Sequence, residues 1–237
     1  MWDKAYVINL DERVDRWEWM QGQLASAGIE AERFPAISIR DLAALPPPQA
    51  LRQFLLKVDG DAPGFERKLL ATWACMQSHL AILRLAREQG LASVLVLEDD
   101  CEFEPFTKAL IARLDKQTPV LGLDFLYLGG TLKKGGNFYR LSSNVRAVSR
   151  VRLAHAYVVS ASVYGRIIDE APESGLPIDW YYSEILLSSI RAGISSPQLA
   201  FQRLDDVSSI EGVARARKFR WRRFWSRAFS KLRYCFG

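Results

Sequence analysis

Residues Ser93–Asp100 read SVLVLEDD, and the architecture of the chain follows from them. The run Ser93–Leu97 is almost wholly β-branched or aliphatic, the pattern of a strand buried on both faces. Such a strand belongs in a largely parallel sheet covered by helices, where ligands collect beyond the carboxyl ends of the strands. Glu98, Asp99 and Asp100 leave that end together, with Cys101, Glu102 and Glu104 close behind. Like charges so crowded repel unless something neutralises them, and hard divalent cations such as Mg²⁺ or Mn²⁺ take oxygen ligands shared with substrate phosphates. Capping the next helix would need only one or two carboxylates. The triplet therefore predicts a metal bound with a diphosphate.

Outward from this strand the pattern alternates. Upstream, Met76, Leu80 and Leu83 recur at helical spacing within Trp73–Gln89, and Gly90 closes that helix. Nearer the start, Ala5–Leu10 (AYVINL) reads as a strand, followed by a helix over Arg13–Ala27 with Asp11 at its N-cap and Gly28 at its C-cap. Downstream come strands at Asp124–Leu128, before Gly129 and Gly130, and at Ala154–Ser160, then a helix over Ala161–Ala171. Between Ile37 and Lys68 periodicity dissolves around Pro46–Pro48 and Asp59–Gly64. A long surface excursion with some helix is expected there, either an active-site lid or acceptor-binding loop or a poorly ordered insertion. The whole predicts an α/β fold with a mostly parallel sheet and flanking helices.

Composition agrees. With 237 residues, 49% hydrophobic and 25% charged, the chain can bury a sizeable core, and one domain with appendages is expected. Cys75, Cys101 and Cys235 have neither the even number of a disulfide scaffold nor C-x-x-C spacing. No apolar run reaches the ~18 residues of a membrane span and no signal peptide is visible, so a cytoplasmic location is expected. The net charge of +5 is uneven. From Arg215 onward there are nine Lys/Arg and no acids, which leaves 23 Lys/Arg against 27 Asp/Glu, a net −4, in residues 1–214. A mildly acidic body argues against nucleic acid as a partner.

Several further residues carry candidate chemistry. Asp179, in Leu176–Tyr182 (LPIDWYY), is a carboxylate among apolar residues, a setting that raises proton affinity toward general-base use, with aromatic faces suited to sugar rings. It is equally placed to cap a helix over Trp180–Arg191. Glu184 lies nearby. Asn9, Arg13, Asp15 and Arg16 cluster past the first strand, where arginines could hold phosphates or form solvated pairs such as Arg16 with Glu12. His79 and His155 are the two histidines. Ser78 beside His79 is no nucleophile and base pair, since adjacent helix residues do not face each other.

Taken together, several segments resemble glycosyltransferase family 25, the lipooligosaccharide and lipopolysaccharide galactosyltransferase group. They are VINLDERVDR (Val7–Arg16), CMQSHLAILR (Cys75–Arg84), VLVLEDDCEF (Val94–Phe103), FLYLGG (Phe125–Gly130), HAYVVS (His155–Ser160), PID (Pro177–Asp179) and FQRLDDVSSI (Phe201–Ile210). One departure is visible: Thr72, Trp73 and Ala74 stand where the family usually has a Gly-Glu pair. The resemblance implies a GT-A-type, Rossmann-like domain over residues 1–212. Glu98 and Asp100 would then be the ligands of Mn²⁺ or Mg²⁺. Asn9, Arg13, Arg16, Ser78, His79 and Asp99 would bind the nucleotide sugar, a UDP-sugar and most simply UDP-galactose. Asp179 would be the base of an inverting transfer to a lipid-linked oligosaccharide acceptor. A catalytically inactive scaffold of the same fold, and a nucleic-acid binder working through its tail, are the rival readings.

The tail, residues 213–237, reads as a basic amphipathic helix. Trp221, Phe224, Trp225, Phe229 and Leu232 share one face, while Arg220, Arg222, Arg223, Arg227, Lys231 and Arg233 fall elsewhere. This pattern predicts that residues 215–237 bind an anionic membrane surface, placing the protein at the inner face of the cytoplasmic membrane.

Overall fold

A computed structural model describes residues 1–203. The last part of FQRLDDVSSI, the boundary at residue 212 and the amphipathic tail lie outside the described residues. In chain order the elements are β1 (Lys4–Asn9), α1 (Val14–Ala27), β2 (Glu32–Pro35), α2 (Gln49–Asp59), α3 (Phe65–Glu88), β3 (Ser93–Glu98), β4 (Cys101–Phe103), α4 (Thr107–Leu121), β5 (Phe125–Tyr127), β6 (Thr131–Leu132), β7 (Phe138–Arg140), β8 (Val145–Val148), β9 (Val151–Arg152), β10 (Ala156–Ser160), α5 (Tyr164–Glu173), α6 (Ile178–Tyr181), β11 (Ala192–Ser195) and β12 (Ala200–Gln202).

Eight strands form the central sheet in the order β2-β1-β3-β10-β5-β11-β8-β7. Six run in one direction, and β10 and β8 run against it. The buried run SVLVL is β3, flanked by β1 in parallel and β10 in antiparallel register. Its residues alternate between two cores: Val94 and Val96 pack with α3 and α5, while Leu95 and Leu97 pack with α1 and α4. Tyr6 and Ile8 against Ala5 and Val7 repeat this in β1. Period-two side chains buried on both faces give the three-layer sandwich that the apolar run implies.

The reversal of β10 was not legible. The chain leaves β5 at the sheet's carboxyl edge, makes the β6–β9 ribbon there, and re-enters at Ala156 without a crossover helix, so the next strand has to run back. Gly129 permits the close approach of the chain beneath this ribbon, because a Cβ on it would lie 1.8 Å from the Ala200 carbonyl oxygen.

Helix boundaries hold with corrections. Gly28 caps α1 in the left-handed region (φ 65°), as expected, but the N-cap position belongs to Arg13 without a side-chain cap bond. Asp11 instead pairs with Arg33 at 2.7 Å. The excursion after Ile37 is helical and packed: Leu42, Leu51 and Leu55 are buried against α3. The helix expected over Trp180–Arg191 stops early, since α6 passes at Tyr182 into a π-helical turn, Tyr182–Leu186. Among the described residues no helix is long and apolar enough to cross a membrane.

Candidate functional site

Two clefts open at the carboxyl edge of the sheet and share a wall. The larger, about 600 Å³, lies between the β1–α1 turn, the segment after β2, the exposed side of α3 and the end of β3. That volume falls within the range of small-molecule sites. The register pairing Ile8 with Glu98 puts Asn9 beside the acidic triplet, so two distant motifs meet at one edge.

Asp99 is the anchor of this edge. It accepts hydrogen bonds from Arg16 (2.8 Å) and from the Asn9 amide nitrogen (2.8 Å), and the Asn9 oxygen in turn accepts from Arg33 (2.7 Å). Burial pushes the Asp99 carboxyl above the usual carboxylate value, against the opposing pull of Arg16 and Asn9. Arg16 is itself buried, so its removal would leave the buried Asp99 charge without its arginine. The expected Arg16–Glu12 surface pair is thus replaced by an Arg16–Asp99 pair in the interior. Asn9 stands behind the cleft wall and orients Asp99 rather than facing the cavity.

Glu98 and Asp100 both line the larger cleft. Opposite them α3 presents Arg67, Ala71, Ala74, Cys75, Ser78 and His79, one helix face at three- and four-residue spacing. Small side chains along that face leave room for the cavity. The Ser78 hydroxyl accepts from the Ile37 amide (2.9 Å) and donates to the Ala74 carbonyl (2.9 Å), so it ties the segment after β2 to α3. Arg13, Arg40 and Arg67 supply positive charge around the rim. Arg40 and Arg67 escaped the sequence reading, because only the fold brings them opposite the acidic strand end.

His79 is fully buried, and its Nδ1 lies 2.9 Å from the Tyr157 hydroxyl, which meets the Tyr182 hydroxyl at 3.0 Å. Its Nε2 faces Glu98 at 3.4 Å. Cys75, one turn earlier, completes a group in which a sulfur, a nitrogen and a carboxylate oxygen all lie within 4.8 Å of one another. Burial raises the Cys75 thiol well above its ordinary value, and the charge of Glu98 adds to this.

The second cleft, about 330 Å³, is bordered by α2, α3 and the start of α6. Cys75, Glu98 and Gln202 line both cavities. Asp179 lies here in the first turn of α6 and accepts from the Leu153 amide at 3.3 Å. Leu153 has φ 76°, a left-handed conformation that costs a non-glycine residue on the order of 1–3 kcal/mol and tends to persist at functional sites. Burial raises the Asp179 carboxyl above its ordinary value; the Leu153 amide and Arg152 pull the other way. Its N-cap role falls to Pro177. Glu184 differs: Arg150 and Arg152 both pair with it, and despite the opposing effect of burial its carboxyl is held below the ordinary value.

Of the aromatics after Asp179, only Trp180 reaches the cleft; Tyr181 and Tyr182 are core residues. Trp180 is held by the Arg152 guanidinium 3.2 Å from its ring centre and by Phe54 edge-on at 4.9 Å. His155 is buried beside Gly129, away from both cavities.

The sequence model described as "Glycosyltransferase family 25 (LPS biosynthesis protein)" matches residues 2–154. The chain belongs to glycosyltransferase family 25. Relatives include a glycosyltransferase 25 family member of Aedes aegypti, 28% identical over 183 residues, which cover 74% of this chain and 30% of that protein. Procollagen galactosyltransferase 1 of Danio rerio is 30% identical over 131 residues, covering 54% of this chain and 21% of that one. The chain spans less than a third of the length of these relatives. A solved UDP-glucose pyrophosphorylase complexed with UDP-glucose superposes with a TM-score of 0.48 at 11% identity, covering 90% of this chain and 97% of that one.

Proposed function

We propose that this protein is an inverting glycosyltransferase that binds a nucleotide sugar in the larger cleft and an acceptor hydroxyl in the smaller one. The observation that carries this reading is the shared wall: Glu98, Cys75 and Gln202 separate a cavity lined by acids and arginines from one that holds Asp179. A reaction centre at that seam would meet a leaving diphosphate on one side and a base on the other.

The residues fit a hard divalent cation. Glu98 and Asp100 offer carboxylate oxygens on the cleft wall, which suits Mn²⁺ or Mg²⁺ completed by water and phosphate. Such a cation, when bound, neutralises charge on the diphosphate. Asp99 would stiffen the strand end through Arg16 and Asn9, and Arg13, Arg40 and Arg67 would pair with phosphate oxygens. Ser78 and His79 would shape the donor side of the seam.

In the smaller cleft Asp179 takes the proton of the acceptor hydroxyl as its oxygen attacks the anomeric carbon; the bond from that carbon to the diphosphate breaks, and the diphosphate leaves with the electron pair. The raised proton affinity of Asp179 suits a base. Glu184, saturated by two arginines, suits it poorly. Family membership and the name of the Danio rerio relative favour UDP-galactose as donor. The family description favours a lipid-linked oligosaccharide of the cell envelope as acceptor, with residues 215–237 holding the protein at the cytoplasmic face of the membrane.

The test is release of UDP from a panel of UDP-sugars by purified protein, with and without Mn²⁺, since slow donor hydrolysis needs no acceptor. Manganese-dependent release from one donor, lost in Asp100→Asn, is the expected result. No release and no nucleotide binding would leave a family 25 scaffold without activity.

A further inference from the structure

We infer that Cys75, His79 and Glu98 form a binding site for a thiophilic divalent cation, of which Zn²⁺ is the type, at the seam between the two clefts. This site differs in donor chemistry from the all-oxygen site of Glu98 and Asp100, and it stands whether or not the chain transfers sugars.

The first support is geometric. Tetrahedral zinc, bonded at about 2.0–2.3 Å, places its ligand atoms roughly 3.5 Å apart. His79 Nε2 and a Glu98 carboxylate oxygen are already 3.4 Å apart. The Cys75 sulfur lies within 4.8 Å of both, so a contraction of about an ångström, within reach of one thiol rotation, closes the triangle. Cys75 and His79 stand one helical turn apart on α3, on the same face, which keeps the pair preorganised.

A second support comes from the imidazole. His79 is wholly buried, and its Nε2 has no hydrogen-bond partner among the described residues although it faces Glu98. Nδ1 is bonded to the Tyr157 hydroxyl, and Tyr157 to Tyr182. A proton on Nδ1 donated to Tyr157 fixes the tautomer whose Nε2 lone pair points at the seam. This is the outer-shell arrangement that ligating histidines use. Soft sulfur and imidazole donors select Zn²⁺ over Mg²⁺ or Mn²⁺. The Zn–S bond forms as the thiol proton leaves to solvent, and the fourth position opens to the clefts, as in zinc sites that retain a water.

The experiment is Co²⁺ and Zn²⁺ titration of the full chain. Co²⁺ is expected to give a thiolate-to-cobalt charge-transfer band that Zn²⁺ bleaches. Cys75→Ala should abolish the band, while Cys235→Ala and Asp100→Asn keep it; the latter separates this site from the all-oxygen one. Tyr157→Phe, which removes the outer partner of His79 and leaves all three ligands in place, should weaken Zn²⁺ binding about tenfold in competition with a chromophoric chelator. Circular dichroism of each variant identifies one that has lost its fold; if Cys75→Ala does, Glu98→Gln, which keeps the thiolate, serves as the second ligand variant, with weakened Zn²⁺ binding in the chelator competition expected and unchanged binding overturning the inference. Absence of the band in wild type, or its persistence in folded Cys75→Ala, would overturn the inference.

Discussion

The two clefts hold their carboxylates in opposite ways. In the larger one Asp99 is locked by a buried arginine and an asparagine whose own oxygen is bound by a second arginine, a network spanning β1, α1, β2 and β3. In the smaller one Asp179 is held by backbone amides, that of Leu153 at 3.3 Å from a residue in a strained conformation and that of Trp180, with the Arg152 charge nearby. A carboxylate clamped between fixed donors is a framework. Burial raises both carboxyls; what differs is that side chains hold both Asp99 oxygens, whereas Asp179 lines the smaller cleft with backbone amides as its hydrogen-bond donors and is available for transfer.

That contrast breaks first at Asp179. Asp179→Asn is expected to lower turnover by about 10²–10⁴-fold while the fold is kept, the range of a lost general base, read by UDP release and circular dichroism. Glu184→Gln should cost far less, because Glu184 is already spoken for by Arg150 and Arg152. Comparable losses in both would erase the distinction between them.

Next in size is the framework. Arg16→Leu strands the Asp99 charge and should destabilise the protein by about 3–5 kcal/mol in urea unfolding, the usual cost of breaking a buried pair. A smaller effect is expected at the rim, where Arg67→Ala should raise the donor KM about tenfold through a lost charge-assisted contact, with little change in stability. Smallest is Ser78→Ala, which frees the Ile37 amide and should cost about 1 kcal/mol.

Acidity sharpens the comparison from another side. Because the Asp179 carboxyl is raised in the folded protein, the base loses its proton later, and the acid limb of the rate profile should lie above the ordinary carboxylate value of 3.8. The folded chain also binds that proton more tightly than the unfolded one, so between 3.8 and the raised value this group's contribution to stability falls as pH rises. Asp15 has the opposite sign. Arg13 holds its carboxyl down to about 2, so its contribution is present above 3.8 and is lost as pH falls toward 2. In Asp179→Asn the acid limb should vanish.

Read from the sequence alone, the strand–helix alternation, the double-sided burial of SVLVL, the cap at Gly28 and the carboxylates at a strand end were all accessible. Each depends on residues within a turn or two of one another, where periodicity and local sterics dominate. Tertiary structure decided the rest. The reversed β10, the arginines opposite the acidic triplet and the pairing of Arg16 with Asp99 across 83 residues all arise from contacts between remote segments. Asp179 shows both levels: its apolar neighbours marked it in the sequence, but only the folded chain set it across Glu98 from the larger cleft and gave Glu184 to the arginines. Local patterns fix which elements form. Which charges meet depends on how the sheet brings its strand ends to one edge, and burial set against the arginines met there decides whether a carboxyl is raised, as at Asp179, or lowered, as at Glu184.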